Sequence, residues 1–134
     1  MAELARLTFP DLVSLAAASS EVSVACACSG LALRAWQSVP LALADADFKD
    51  VGTLLDDPYV EPTFVEYHPH GTRYDSPDAP IAPRYFPCNR ANVSACLRCG
   101  RMFLRYVEAG GYFVDRRIRA LSPDLLADAP LPGQ

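Results

Sequence analysis

The groups in this chain best suited to chemistry are thiols and imidazoles, and most of them fall in one stretch. Cys96-Leu97-Arg98-Cys99-Gly100 sets two thiols two residues apart. At that spacing a tight turn aims both sulfurs at one ion, about 2.3 Å from each. Gly100 leaves the backbone free to curl after the second thiol, so that amide N–H groups can face the thiolates. A tetrahedral ion needs two more ligands. The only two histidines stand together in Tyr67-His68-Pro69-His70-Gly71, and Cys88 follows in Phe86-Pro87-Cys88-Asn89. His68, His70, Cys88, Cys96 and Cys99 are thus five candidates for four positions. Either both histidines bind, with Pro69 fixing the turn between them, or one histidine and Cys88 complete a three-Cys, one-His set. Mixed nitrogen and sulfur ligation favours zinc, the expected cofactor.

The remaining thiols read differently. Cys26 and Cys28 alternate with Ala25 and Ala27 in a strand-like pattern, which marks them as small core residues on one face. Five cysteines is an odd number, and a reducing compartment disfavours disulfides. A redox role for Cys96 and Cys99 would want the pair to open a helix, whereas here it opens a strand pattern.

The CxxCG turn leading directly into an alternating hairpin, residues 96–119, resembles one half of a zinc-ribbon domain. That resemblance implies a structural metal. The order His68 or His70, then Cys96 and Cys99, is also broadly similar to the zinc-dependent cytidine deaminases, which use His-x-Glu and later Pro-Cys-x-x-Cys. Two departures matter. The residue two after His68 is His70 and two after His70 is Thr72, so the catalytic Glu is missing; and Ala95 stands where proline would precede the first Cys. Glu66 precedes His68 and cannot simply inherit the role. Asp75 and Asp78 are the nearby carboxylates, in turn-forming positions. An enzyme is therefore less expected than a structural zinc protein.

These groups need elements to hold them. Thr8-Phe9-Pro10-Asp11 begins a helix with a cap and a first-turn proline, and the apolar run through Ala16 carries it over about 9–18. Val22, Val24, Cys26 and Cys28, then Leu31, Leu33 and Ala35, suggest a β-hairpin up to Trp36. Leu41–Asp50 has weak helical spacing, and Val51–Leu55 reads as helix end or strand. Seven of the twelve prolines fall within 58–87, so this middle should be a long loop with brief extended pieces at 63–67 and 84–86. Residues 101–107 and 112–119 alternate around a Gly110-Gly111 turn, which makes the clearest hairpin. Ser122-Pro123-Asp124 starts a short helix or turn. The fold class is α+β in one domain over 1–134, with a metal-binding region at about 66–119.

Composition sets the remaining bounds. The chain of 134 residues is 51% hydrophobic and 21% charged, the balance of a folded protein. Its longest uncharged stretch near an apolar span, Val22–Leu33, has twelve residues, too few to cross a bilayer. The first residues mix charges without the basic-then-apolar order of a secretion signal, so a soluble, cytoplasmic protein with no membrane partner is expected. Residues 1–83 carry four basic groups against twelve acids, whereas 84–119 carry eight arginines against Glu108 and Asp115. Either that block faces an acidic partner such as nucleic acid, or it packs on the protein's own acids. The leading expectation is a zinc-stabilised interaction or regulatory module. It would present Tyr67, Arg73, Tyr74, Arg84, Tyr85 and Phe86 to a protein partner. A zinc hydrolase or deaminase-like enzyme with an open metal position is the alternative, and an arginine-rich nucleic-acid binder the second.

Overall fold

A computed structural model describes residues 4–31, 33–109, 112 and 114–133. Helix α1 spans Phe9–Ser20, two residues longer than its apolar pattern suggests. It starts where the sequence places it: the Asp11 N–H donates to the Thr8 hydroxyl and the Thr8 N–H to the Asp11 carboxylate, a reciprocal cap. Leu12 and Ala16 are its buried stripe. At its far end the Ser19 hydroxyl accepts the Met102 N–H, tying the helix to the sheet.

Five antiparallel strands form that sheet: β1 (Gln37–Ser38), β2 (Phe48–Thr53), β3 (Asn92–Cys96), β4 (Met102–Ala109) and β5 (Val114–Ala120), in the order β1-β5-β4-β3-β2. The protein is therefore one helix with a mostly β body, an α+β arrangement. The hairpin of β4 and β5 falls on the alternating residues; its Gly110-Gly111 turn lies outside the described residues. Strand β2 replaces the ambiguous 41–55 reading, preceded by a 3-10 turn at Asp45–Asp47. It bulges between Asp50 and Gly52, where the Leu7 side chain occupies the space a Cβ on Gly52 would need.

The expected Val22–Trp36 hairpin does not form. Among the described residues this segment runs as bends and turns, with no strand before Gln37. Side chains take the backbone groups a ladder would have used. Ser29 accepts the Cys26 N–H and donates to the Cys26 carbonyl, while Arg101 donates to the carbonyls of Val22 and Val24. Between β2 and the 3-10 turn at Cys88–Arg90 the chain has no helix or strand, and residues 84–86 turn rather than extend.

Strand pairing sorts the side chains into two layers. One face carries Val93, Leu104 and Tyr106, which pack with Leu12, Ala16, Trp36, Ile81, Cys88 and Leu121 under α1. The other carries Phe48, Cys96, Phe103 and Ile118, which pack with Cys28, Leu33 and Leu43. The aromatic residues of the middle segment mostly turn inward: Tyr74 stacks on Trp36, Tyr67 packs on Tyr85, and Phe86 packs with Phe64, Tyr74 and Tyr106. They fill the interior of the loop and leave little of the presentation surface expected from their order in sequence.

The arginine block is neutralised from within. Arg84 pairs with Asp128, Arg98 with Asp47, Arg105 with Asp45 and Asp50, and Arg117 with Glu108 and Asp115. Arg90, Arg101 and Arg119 donate to main-chain carbonyls, and Arg119 does so at 1% exposure, bonding the carbonyls of Arg34 and Ala79. This favours the intramolecular reading of the block.

The firmest polar junction lies on the Phe48 face. The Ser94 hydroxyl donates to Asp50 (2.6 Å), Arg105 donates to both Ser94 (2.9 Å) and Asp50 (3.1 Å), and the Asn92 amide donates to Asp50 (3.2 Å). Burial alone would raise the Asp50 carboxyl, but Ser94, Arg105 and Asn92 outweigh it and hold it below the usual range. A lowered folded-state value gives stability that is present above the unfolded value, near pH 4, and lost as pH falls through the lower one. Asp50→Asn should thus cost about 1–2 kcal/mol at pH 7. The difference from the parent chain should shrink below about pH 4, as read from urea midpoints across the acid range.

Candidate metal centre

Two turns, one from each side of the sequence, meet at the end of the sheet. The later one begins at Cys96, the last residue of β3. The Cys96 N–H donates to the Arg101 carbonyl and the Gly100 N–H returns to the Cys96 carbonyl, each at 2.8 Å. Gly100 sits at φ +86°, the left-handed region that glycine enters without strain. That conformation points the Arg101 N–H at the Cys99 sulfur (3.5 Å), and the amides of Arg98 and Cys99 bond the Cys96 sulfur. The Leu97 N–H donates to the Asp47 carbonyl, fixing the turn to the lead-in of β2.

The earlier turn is Cys26-Ala27-Cys28-Ser29-Gly30. The N–H groups of Ser29 and Gly30 converge on the Cys26 carbonyl, and the Ser29 hydroxyl closes the ring described above. In a turn, unlike a strand, sulfurs two residues apart can converge. Arg101 joins the two turns: its side chain reaches the Val22 and Val24 carbonyls and also bonds the Cys99 and Cys28 sulfurs.

Between the turns lie four sulfurs. Cys26 Sγ is 3.8 Å from Cys96 Sγ, Cys28 Sγ is 3.4 Å from Cys99 Sγ, and all four lie within 4.8 Å of one another. Four sulfurs placed about 2.3 Å from one tetrahedral ion stand about 3.8 Å apart, so the donor set fits a single ion. A multi-iron cluster spreads its cysteines over separate irons, which needs more room than this. Cys28 and Cys96 are 2% and 3% exposed, and Phe48, Phe103, Leu33 and Ile118 seal the inner side. Together, the four cysteines form a group that can hold a metal ion.

Electrostatics divide the four. Burial pushes the Cys28 and Cys96 thiols up, and contact with neighbouring thiols adds to it. Burial opposes ionisation of Cys99 too, but the Arg101 N–H, the Cys28 thiol, the Arg101 side chain and the Cys96 thiol bring it down to about 7. A thiolate at Cys99 offers a first foothold for a cation, which must then displace protons from the others.

The other expected ligands lie elsewhere. Both ring nitrogens of His68 are occupied, Nδ1 by the Thr72 hydroxyl (2.7 Å) and Nε2 by Glu66 (2.9 Å). His70 is exposed in the same loop. Cys88 is buried on the opposite face of the sheet, beneath α1, where burial lifts its thiol to about 11 despite the nearby Arg119. The structure thus unites Cys96 and Cys99 with Cys26 and Cys28, and leaves His68, His70 and Cys88 outside the group. The centre draws on both ends of the chain, not on a region confined to about 66–119. A signal for this exists in the sequence: Cys26-x-Cys28 and Cys96-x-x-Cys99 are two close thiol pairs, each followed within two residues by glycine.

Comparison with protein-family models, with curated proteins and with solved structures finds no match to this chain. Among the described residues no helix is long and apolar enough to cross a membrane.

Gly100 offers a direct check on the geometry. No atom lies near enough to obstruct an added Cβ, so Gly100→Ala tests only the left-handed backbone. It should cost about 1–2 kcal/mol and weaken cobalt binding, followed by absorbance, by about ten-fold.

Proposed function

We propose that the chain binds one zinc ion through Cys26, Cys28, Cys96 and Cys99, and that this zinc is structural. The observation that carries the reading is the completeness of the donor set: four sulfurs at single-ion spacing fill every tetrahedral position. A catalytic zinc keeps a position open for water, and the His68–Glu66 pair lies outside the four-sulfur group, with His68 bonded to Glu66 and Thr72. The two turns have no main-chain ladder between them, and the metal adds its link to that of the Arg101 side chain. Structural zinc contributes on the order of 10 kcal/mol of apparent binding energy in small domains. That is enough to order a segment rich in turns.

In this reading the protein is a zinc-ribbon-like interaction module in which the ion sets the shape and the surface does the work. A protein partner suits it better than nucleic acid, because most of the block's arginines are already bonded inside the fold.

Elemental analysis should find one zinc per chain, and X-ray absorption four sulfur neighbours at about 2.3 Å. Cys26→Ser and Cys96→Ser should each lose the metal, while His68→Ala, His70→Ala and Cys88→Ala keep it. Chelation should lower the melting temperature by more than about 10 °C. Three sulfurs and one oxygen around the metal would instead favour the enzyme. Full metal content in the Cys26→Ser and Cys28→Ser chains would discard the four-cysteine site.

A further inference from the structure

The β4–β5 hairpin outruns the strand beside it. The β3 register ends at the Asn92–Arg105 pair, yet β4 continues through Ala109. In an antiparallel ladder, residues alternate in which neighbour their N–H and C=O groups face. Cys96 bonds Arg101 on the β3 side, and the Leu121 N–H bonds the Met102 carbonyl on the β5 side. Continuing that alternation, Val107 and Ala109 aim their main-chain groups away from β5, at an edge where the β3 ladder has stopped. This edge is about 13 Å long at the rise of a strand.

A groove of about 520 Å³ runs beside it. Its lining includes Val39, Leu43, Phe48, Val107, Arg90 and Arg116. Val107 and Val114 are 57% and 63% exposed, and Arg116 stands opposite Val107 on the same face. Arg90 lies toward the other face, its guanidinium over the Phe86 ring that packs on Tyr106. Arg116 has no carboxylate within ion-pair distance among the described residues, whereas Arg105 and Arg117 are already paired and Arg90 donates to the carbonyls of Pro62 and Thr63. The open edge is therefore flanked by one uncompensated cation, Arg116, on the Val107 face.

We propose that the outer edge of β4 at Tyr106–Ala109 is a docking site for an acidic, extended segment of a partner polypeptide. The segment would add as a further strand, with main-chain bonds to Val107 and Ala109 and a carboxylate toward Arg116. This rests on the reading of the protein as an interaction module and names its partner chemistry. One feature favours a peptide over nucleic acid. The edge presents carbonyl acceptors as well as N–H donors in strand register.

The probe is end-blocked hexaglutamate, titrated into the zinc-loaded full chain and followed by amide NMR and calorimetry. The Val107 and Ala109 amide signals should shift, and binding should weaken as salt rises. Arg116→Glu should weaken binding about five-fold or more. Val107→Pro removes one outward N–H at a position where an edge strand tolerates proline, and should abolish the Ala109 shift. Zinc content and melting temperature, measured on each variant, separate a failed peptide site from a failed metal centre. The proposal is overturned if the shifts avoid 106–109, or if both variants bind as the parent does. It is equally overturned if a thymidine oligonucleotide of equal charge competes for the same amides, or if the edge is consumed by self-association that hexaglutamate does not reverse.

Discussion

Four sulfur atoms have to share a space barely larger than one ion, and the two turns that supply them are seventy residues apart along the chain. The surrounding structure serves that requirement. Gly100 takes a backbone angle that directs amides at sulfur, Arg101 holds the carbonyls of Val22 and Val24 while bonding thiols, and Asp47 anchors Leu97. Burial, with the neighbouring thiols adding to it, favours the protonated form at Cys28 and Cys96, while Cys99 is held lower. A cation at the centre would reverse that balance by favouring the thiolates.

The same logic of internal pairing governs the charge. A stretch with eight arginines looks like a basic surface when read along the sequence, but folding threads it through the acidic half. Asp45, Asp47 and Asp50, beside and within β2, meet Arg105 and Arg98 across the sheet. Buried Arg119 does structural work of another kind, joining β5 to two irregular segments through their carbonyls. Arg116 is left facing solvent on the projecting hairpin.

Elements with a strong local signal were legible. The Thr8–Asp11 cap and the alternation of 102–109 with 114–120 need no distant partner to declare themselves. Strand β3 carries little local signal, because Asn92 and Ser94 look like loop residues until Asp50 and Arg105 are placed over them. Strand β2 was ambiguous because a bulge beside Gly52 breaks its period. The metal centre was half legible. Cys96, Cys99 and Gly100 announce a turn by their spacing, but Cys26 and Cys28 sit among alanines and serines in a pattern that mimics a strand. Only the Ser29 and Arg101 side chains, capturing main-chain groups, convert it to a turn. The histidines attracted attention as ligands, yet their loop satisfies His68 locally through Thr72 and Glu66.

The distance in sequence between the two thiol pairs also has a temporal side. A ribosome releases the chain from its N-terminus, so Cys26 and Cys28 emerge well before Cys96 and Cys99 exist. At roughly 5–20 residues per second, the early pair waits on the order of 4–14 seconds for its partners. Through that interval the pair can offer an ion only half of the four sulfurs. The four-sulfur group can therefore close only after Cys99 has emerged, and until then the early pair has none of its later partners.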